Sequence, residues 1–208
     1  MHIAATLEDG DLRLSFRSAQ PQMLQWYSLP SQAAALLLPI GEGSRIPLDN
    51  RRWQGYLVNE QTPIDTHWAL KLPLWSQEQK DKVYSWLLLT PFDNEIAFST
   101  ADGRLRMLSG HRFNLFNQQR PFEVLLHVGD APLSGALRYR EYLRQSGRFN
   151  SLRDKINNAP EGGKLIGATH IYLWDSGLLD RADVKKLAGT ADLPAFAGRR
   201  RAEAENGR

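Results

Sequence analysis

Two Asp-Gly pairs, Asp9-Gly10 and Asp102-Gly103, each stand between short runs of alternating apolar and polar side chains. No other feature constrains the fold as much. From Asp11 to Arg17, Leu12, Leu14 and Phe16 fall on one face, with Arg13, Ser15 and Arg17 on the other. That period of two marks a half-buried strand. An Asp-Gly pair takes the left-handed backbone of a tight hairpin, so the first joins this strand to Ile3–Leu7. The second joins Glu95–Thr100 to Arg104–Leu108. Phe122 to Val128 repeats the alternation, with Phe122, Val124, Leu126 and Val128 on one face. Val83 to Leu89, ending at Thr90-Pro91, is apolar and aromatic enough for a strand covered on both faces. No internal repeat is visible. The expectation is a mainly β chain whose first 130 residues form a large antiparallel β-sandwich.

At Gly129-Asp130 the pattern changes. Asp130 is expected to cap a helix that starts at Ala131-Pro132 and buries Leu133, Ala136, Leu137, Tyr139 and Leu143, with Gly147 as its C-terminal stop. Arg140 intrudes on that arc and reads as a snorkelling arginine or half of an ion pair across an interface. Ser151 and Asp154 have the spacing of a capping box for a second helix, Leu152 to Asn157. Asn157 to Gly163 then breaks regular structure, closing a helical linker over 131–163. Lys164 to Trp174 is nearly all apolar, as a parallel strand buried on both faces would be. Asp175-Ser-Gly and a helix at Arg181–Leu187 complete one βα unit over 164–190. The 191–208 tail is expected to be disordered beyond Gly198, being polar and charged. Only 34 residues follow Trp174, whereas a closed (β/α)₈ barrel takes about 200 or more. A truncated barrel start is expected.

Composition narrows the partners. The formal net charge of +3 is partly local, since Arg199, Arg200 and Arg201 cluster near the terminal Arg208. That run reads as a solvated tail, and no basic stripe occurs elsewhere, so nucleic acid is rejected as a partner. There is no cysteine, which removes disulfides and thiolate metal sites. No cofactor is expected. The longest apolar run, Ala33 to Leu38, is far short of the roughly 20 residues that span a bilayer, so no membrane partner is expected. Met1 to Asp11 lacks the pattern of a secretory signal. The expected location is cytoplasmic, or periplasmic or secreted if the true start lies upstream.

Residues 35–48, Ala-Leu-Leu-Leu-Pro-Ile-Gly-Glu-Gly-Ser-Arg-Ile-Pro-Leu, resemble a segment in the N-terminal supersandwich of large bacterial glycoside hydrolases. The nearest named group is the endo-α-N-acetylgalactosaminidase-like glycosidases. Tyr139-Arg140-Glu141-Tyr142-Leu143 and Ser151-Leu152-Arg153-Asp154-Lys155-Ile156 resemble the linker between sandwich and barrel in such enzymes, and Leu165 to Trp174 their first barrel strand. The resemblance spans roughly residues 10 to 190 and rests on the order of these blocks. It implies a galactose-mutarotase-like supersandwich of glycosidase ancestry. Strands two to eight of the barrel, whose ends carry the family's carboxylates, have no counterpart here, and no catalytic residue is transferred.

Glycoside hydrolysis needs two carboxyls about 5–5.5 Å or 6.5–9.5 Å apart, and no motif brings such a pair together. Four residues are the candidate carbohydrate contacts. Glu42 sits between Gly41 and Gly43, where the backbone can approach a ligand, and Arg45 follows; the ordinary alternative is a tight turn with a solvated glutamate. Trp174 could stack on a sugar and Asp175 accept from its hydroxyls at the end of the barrel strand; the alternative is a buried aromatic and a helix cap. Of six tryptophans, Trp86 reads as core, whereas Trp53 and Trp75, flanked by polar residues, are the candidates for exposed platforms. His67, His111, His127 and His170 lack metal-ligand spacing, and no serine-hydrolase elbow appears. The leading expectation is a non-catalytic N-terminal module of a truncated or split glycoside hydrolase serving carbohydrate metabolism. The alternatives are a stand-alone carbohydrate-binding module, or an interaction protein that dimerises or captures a partner chain through the apolar strand at 165–174.

Overall fold

The computed structural model describes residues 1–166 apart from position 31. Its chain divides into two compact units, the first from Met1 to Phe149 and the second beginning at Asn150.

The first unit is two antiparallel sheets. One has seven strands in the order β1 (His2–Glu8), β2 (Asp11–Arg17), β11 (Phe122–Gly129), β8 (Lys82–Leu88), β7 (Leu74–Gln79), β4 (Ala35–Leu38) and β5 (Ser44–Pro47). The other has four: β3 (Gln22–Tyr27), β10 (Arg104–Phe113), β9 (Asn94–Ala101) and β6 (Ile64–Asp65). Both Asp-Gly hairpins form as expected. Asp9 and Gly10 have φ of +50° and +83°, and Asp102 and Gly103 +52° and +70°, the paired left-handed residues that match strand twist. A mainly β, antiparallel, sandwich-like fold is what the alternation required.

The core lies between the sheets. Phe122 stacks on Phe16 at 5.8 Å, and Trp26 touches both Phe122 and Trp86. Trp75 stacks on Trp86 at 6.3 Å. Leu36, Leu38, Ile46, Leu57, Leu88 and Ile96 fill the remaining space. Val83–Leu89 was expected to be covered on both faces, and it is. Leu88 belongs to this inter-sheet core, while Leu87 and Leu89 join Leu74 and Leu125 under helix α3 (Ser134–Gln145).

His111, on β10, is buried in this core. Its ring stacks on Phe122 at 4.1 Å, and Nδ1 lies 2.8 Å from the amide oxygen of Asn94. Burial disfavours the imidazolium and lowers its pKa from 6.5 to about 4, against a small opposing pull from Asp93. The unfolded chain therefore takes up this proton first as pH falls. The stability His111 supports is whole above about pH 6.5 and drains away toward pH 4, by roughly 3 kcal/mol at most. Urea midpoints measured from pH 7 to pH 4 should show this loss in the wild type. They should show a shallower loss in His111→Phe; equal slopes would contradict the assignment.

Helix α3 differs in detail from its expectation. Asp130 does not cap it. The carboxylate instead pairs with Lys82 at 2.5 Å, and the N-cap position falls on Leu133, which supplies no side-chain bond. The packed face is Gly135, Ala136, Tyr139 and Tyr142, whereas Leu133 and Leu137 point outward. The reason is close approach. A Cβ at Gly135 would collide with Ser85, whose hydroxyl bonds that of Ser76 across β7 and β8, so the helix rolls to press its glycine on the sheet. Arg140 is exposed, and no ion pair is formed by it among the described residues. Gly147 takes φ +69° directly after the helix, as a C-terminal stop should.

In the second unit, α4 (Leu152–Asn158) has the expected reciprocal capping box between Ser151 and Asp154. The stretch expected to lack regular structure instead contains a 3₁₀ helix, Pro160–Leu165, because proline suits a helix's first turn. Lys164 and Leu165, expected to open the barrel strand, lie in that 3₁₀ turn. The remainder of that strand, the helix at Arg181–Leu187 and the tail lie outside the described residues. No helix among the described residues is long and apolar enough to cross a membrane.

Candidate functional site

A helix within the sandwich, α1 (Arg51–Asn59), builds one wall of an open groove. Asn50 caps it, its side-chain oxygen accepting from the backbone N–H of Arg52 and Trp53 at 3.1 Å each. The inner side is fixed by Leu57 and by Gln54, whose amide donates to the carbonyls of Leu48 and Gly103 at 2.8 Å. Fixing that side leaves Arg52, Trp53 and Tyr56 facing out. Trp53 is half-buried and meets Tyr56 edge-on at 5.9 Å.

Opposite this wall runs the β4–β5 turn. Gly41 and Gly43 hold φ of +56° and +92°, and Gly43 N–H donates to the Ile40 carbonyl at 2.8 Å. These left-handed positions suit glycine and curl the turn so that Glu42 projects from its tip. Ile40 to Ser44, with Arg52, Trp53 and Tyr56, line a groove of about 520 Å³. Among the described residues the charged ends of Glu42 and Arg52 have no hydrogen-bond or ion-pair partner. The groove thus offers an aromatic wall, one free carboxylate acceptor and one free guanidinium donor. Such a mixture complements a ring with an apolar face and hydroxyl edges.

The candidate residues separate. Glu42 lies in the groove. Arg45 does not line it; its guanidinium grips Glu78 in a forked pair, with contacts of 2.6 to 3.1 Å across the β5–β4–β7 strands. Trp174 and Asp175 lie outside the described residues. Trp53, expected as an exposed platform, is half-buried: one side packs against the core and the rest lines the groove. Trp75 is not: it is 1% exposed and packs in the core, because β7 is an interior strand with α3 on one face and the second sheet on the other.

Two groups escaped the sequence reading. Trp68, on the short helix α2 (Thr66–Ala69), is 81% exposed and packs against His67, which in turn meets Phe92 at 4.5 Å. Asp65, one residue before α2, accepts from His67 N–H at 2.9 Å; a capping aspartate ahead of His-Trp was the available signal. The second group is buried. Asp11 accepts from Arg138 Nε at 2.5 Å and lies 2.7 Å from His127 Nδ1, tying β2, β11 and α3 together. These partners are more than a hundred residues apart from Asp11 in sequence, so no local pattern announces them.

Neither of two depressions in the first unit holds two carboxylates among the described residues. The groove at α1 has Glu42, and a second, of about 370 Å³ around Gln22, Arg112 and Asn114, has none. Among the described residues no group of three His, Cys, Asp or Glu is placed to hold a metal ion.

No family model and no curated protein matches this chain. Solved structures do. The ligand-free α-N-acetylgalactosaminidase NagBb from Bifidobacterium bifidum matches with a TM-score of 0.59 at 16% identity, covering 79% of this chain and 29% of that one. Its GalNAc complex gives 0.55 at 18%, covering 85% and 32%, and its Gal-NHAc-DNJ complex 0.60 at 15%, covering 87% and 34%. The chain therefore spans about a third of that enzyme's length. At this identity the likeness establishes a shared glycosidase-related fold.

Proposed function

We propose that this chain is a non-catalytic, sandwich-type module of a glycoside hydrolase, and that its groove at Glu42, Arg52, Trp53 and Tyr56 holds carbohydrate. The observation that carries the reading is the groove itself: two aromatic rings beside a carboxylate and a guanidinium that have no partner among the described residues. The fold shared with part of an α-N-acetylgalactosaminidase supports a glycosidase context and suggests N-acetylgalactosamine-bearing glycans as first probes. Among the described residues lining the groove there is one carboxylate, one too few for either hydrolytic geometry, which supports binding without cleavage.

Titration of an N-acetylgalactosamine-terminated oligosaccharide into the purified chain should give saturable binding. Trp53→Ala should weaken it by about tenfold, the loss of roughly 1.4 kcal/mol of stacking. Because Trp53 also touches the core, the exposed Glu42→Gln serves as the second variant and should weaken binding several-fold with unchanged unfolding. An aryl N-acetylgalactosaminide should be hydrolysed no faster with the protein than without it. Absence of binding, or enzymatic turnover, would refute the proposal.

A further inference from the structure

Among the described residues β1 is an outer strand of the seven-stranded sheet and is paired on one side, by β2, in unbroken register from His2↔Arg17 to Glu8↔Asp11. His2 through Leu7 are all exposed. Natural edge strands are guarded by proline, bulges, brevity or inward-pointing charge. β5, at the other edge of this sheet, has four residues and ends in Pro47, and β6 has two. β1 has seven residues and none of these guards. Its pleat sets Ile3, Ala5 and Leu7 on one face, where Ile3 is 59% and Leu7 76% exposed and the cross-strand Leu12 is 37% exposed.

The strand is also complementary to itself. Antiparallel pairing of two copies about a two-fold axis at Ala5 places Ile3 opposite Leu7 of the second copy and Ala4 opposite Thr6. The basic-capable His2 then faces the acidic Glu8 at each end. Glu8 holds Arg13 loosely, at 3.5 Å, while Arg13 donates more closely to Glu123 at 2.9 Å, so Glu8 can turn to a new partner. β3, the edge strand of the four-stranded sheet, has no charged residue to fix a register in this way.

We propose that β1 is a self-association surface: a second copy of this chain pairs its own β1 there, antiparallel and centred on Ala5, making one sheet continuous through both protomers. The interface is small, so a dissociation constant of about 10 µM is expected. At about 100 µM roughly four fifths of the chains should then be dimeric, so sedimentation velocity should report an average mass about 1.8 times the 23.6 kDa chain mass. Leu7→Lys, at a solvent-exposed position, should return the protein to monomer mass with its circular dichroism unchanged. Glu8→Lys, which sets a lysine against His2, should weaken association at least tenfold, and adding His2→Glu to it should restore the dimer. A wild-type monomer at that concentration overturns the proposal, as does a dimer that survives Leu7→Lys.

Discussion

Trp75→Ala is expected to lower the free energy of unfolding by about 4 kcal/mol, in the range for emptying a large aromatic site in a packed core. The ring is 1% exposed, stacks on Trp86 and sits on a strand covered from both sides, so neither solvent nor a neighbouring side chain can readily fill the void. Domains of this size are stable by only about 5–15 kcal/mol, and the loss should appear as a large drop in urea midpoint. The indole N–H sharpens the prediction. Trp75 Nε1 has no hydrogen-bond partner among the described residues, a group that costs stability by being buried unpaired. Trp75→Phe removes that donor along with part of the ring, so its cost should be under half that of alanine. A change below about 1 kcal/mol for the alanine variant would mean that Trp75 is not core.

Asp11→Ala should be nearly as damaging, at about 3–4 kcal/mol, for an electrostatic reason. Its carboxylate is 3% exposed and neutralises Arg138, itself 17% exposed, while also meeting His127. Removing the anion strands a guanidinium between helix and sheet, and breaking one side of a buried pair costs far more than the intact pair is worth. Among the described residues Arg138 Nη1 already has no partner, so no second acceptor stands in contact with it to take over from Asp11. Arg138→Met in the Asp11→Ala background should therefore recover more than 1 kcal/mol, because the stranded charge leaves with it. Strict additivity of the two substitutions would show that the three residues do not act as a unit.

These two sites mark the limits of what the sequence reveals. The strands bounded by Asp9-Gly10 and Asp102-Gly103 were legible because turn chemistry and alternation are local. The hairpin joining β7 to β8 was not, since its left-handed residue is Lys80, at φ +56°, rather than a glycine that would announce it. Trp75 misled because Ser76 and Gln77 follow it, yet both are buried with it, and strand order in the sheet decides that burial. Helix α1 was missed for the opposite reason. Its buried face is just Gln54 and Leu57, too thin an apolar stripe to show as periodicity, although Asn50 was a visible cap.

The candidate site was half legible. Glycines either side of Glu42 pointed to a projecting carboxylate, and Trp53 stood out among polar neighbours. Their meeting across one groove depends on how α1 seats against the Asp102-Gly103 hairpin through Gln54, a contact spanning 49 residues. Arg45 looked equally available in sequence, but Glu78 is distant in the chain and adjacent in space. Trp68 was passed over because nothing local says that a four-residue helix will leave its tryptophan in water.

Carbohydrate in the α1 groove is the claim on which the account turns, and the six indole N–H signals of the protein report on it residue by residue. With ¹⁵N-labelled protein and a titrated N-acetylgalactosamine-terminated oligosaccharide, the account predicts saturable shifts of the Trp53 indole and of the Gly41 and Gly43 amides, with the buried Trp75 and Trp86 indoles unmoved. Shifts confined to Trp68, or a spectrum unchanged at millimolar glycan, would contradict it.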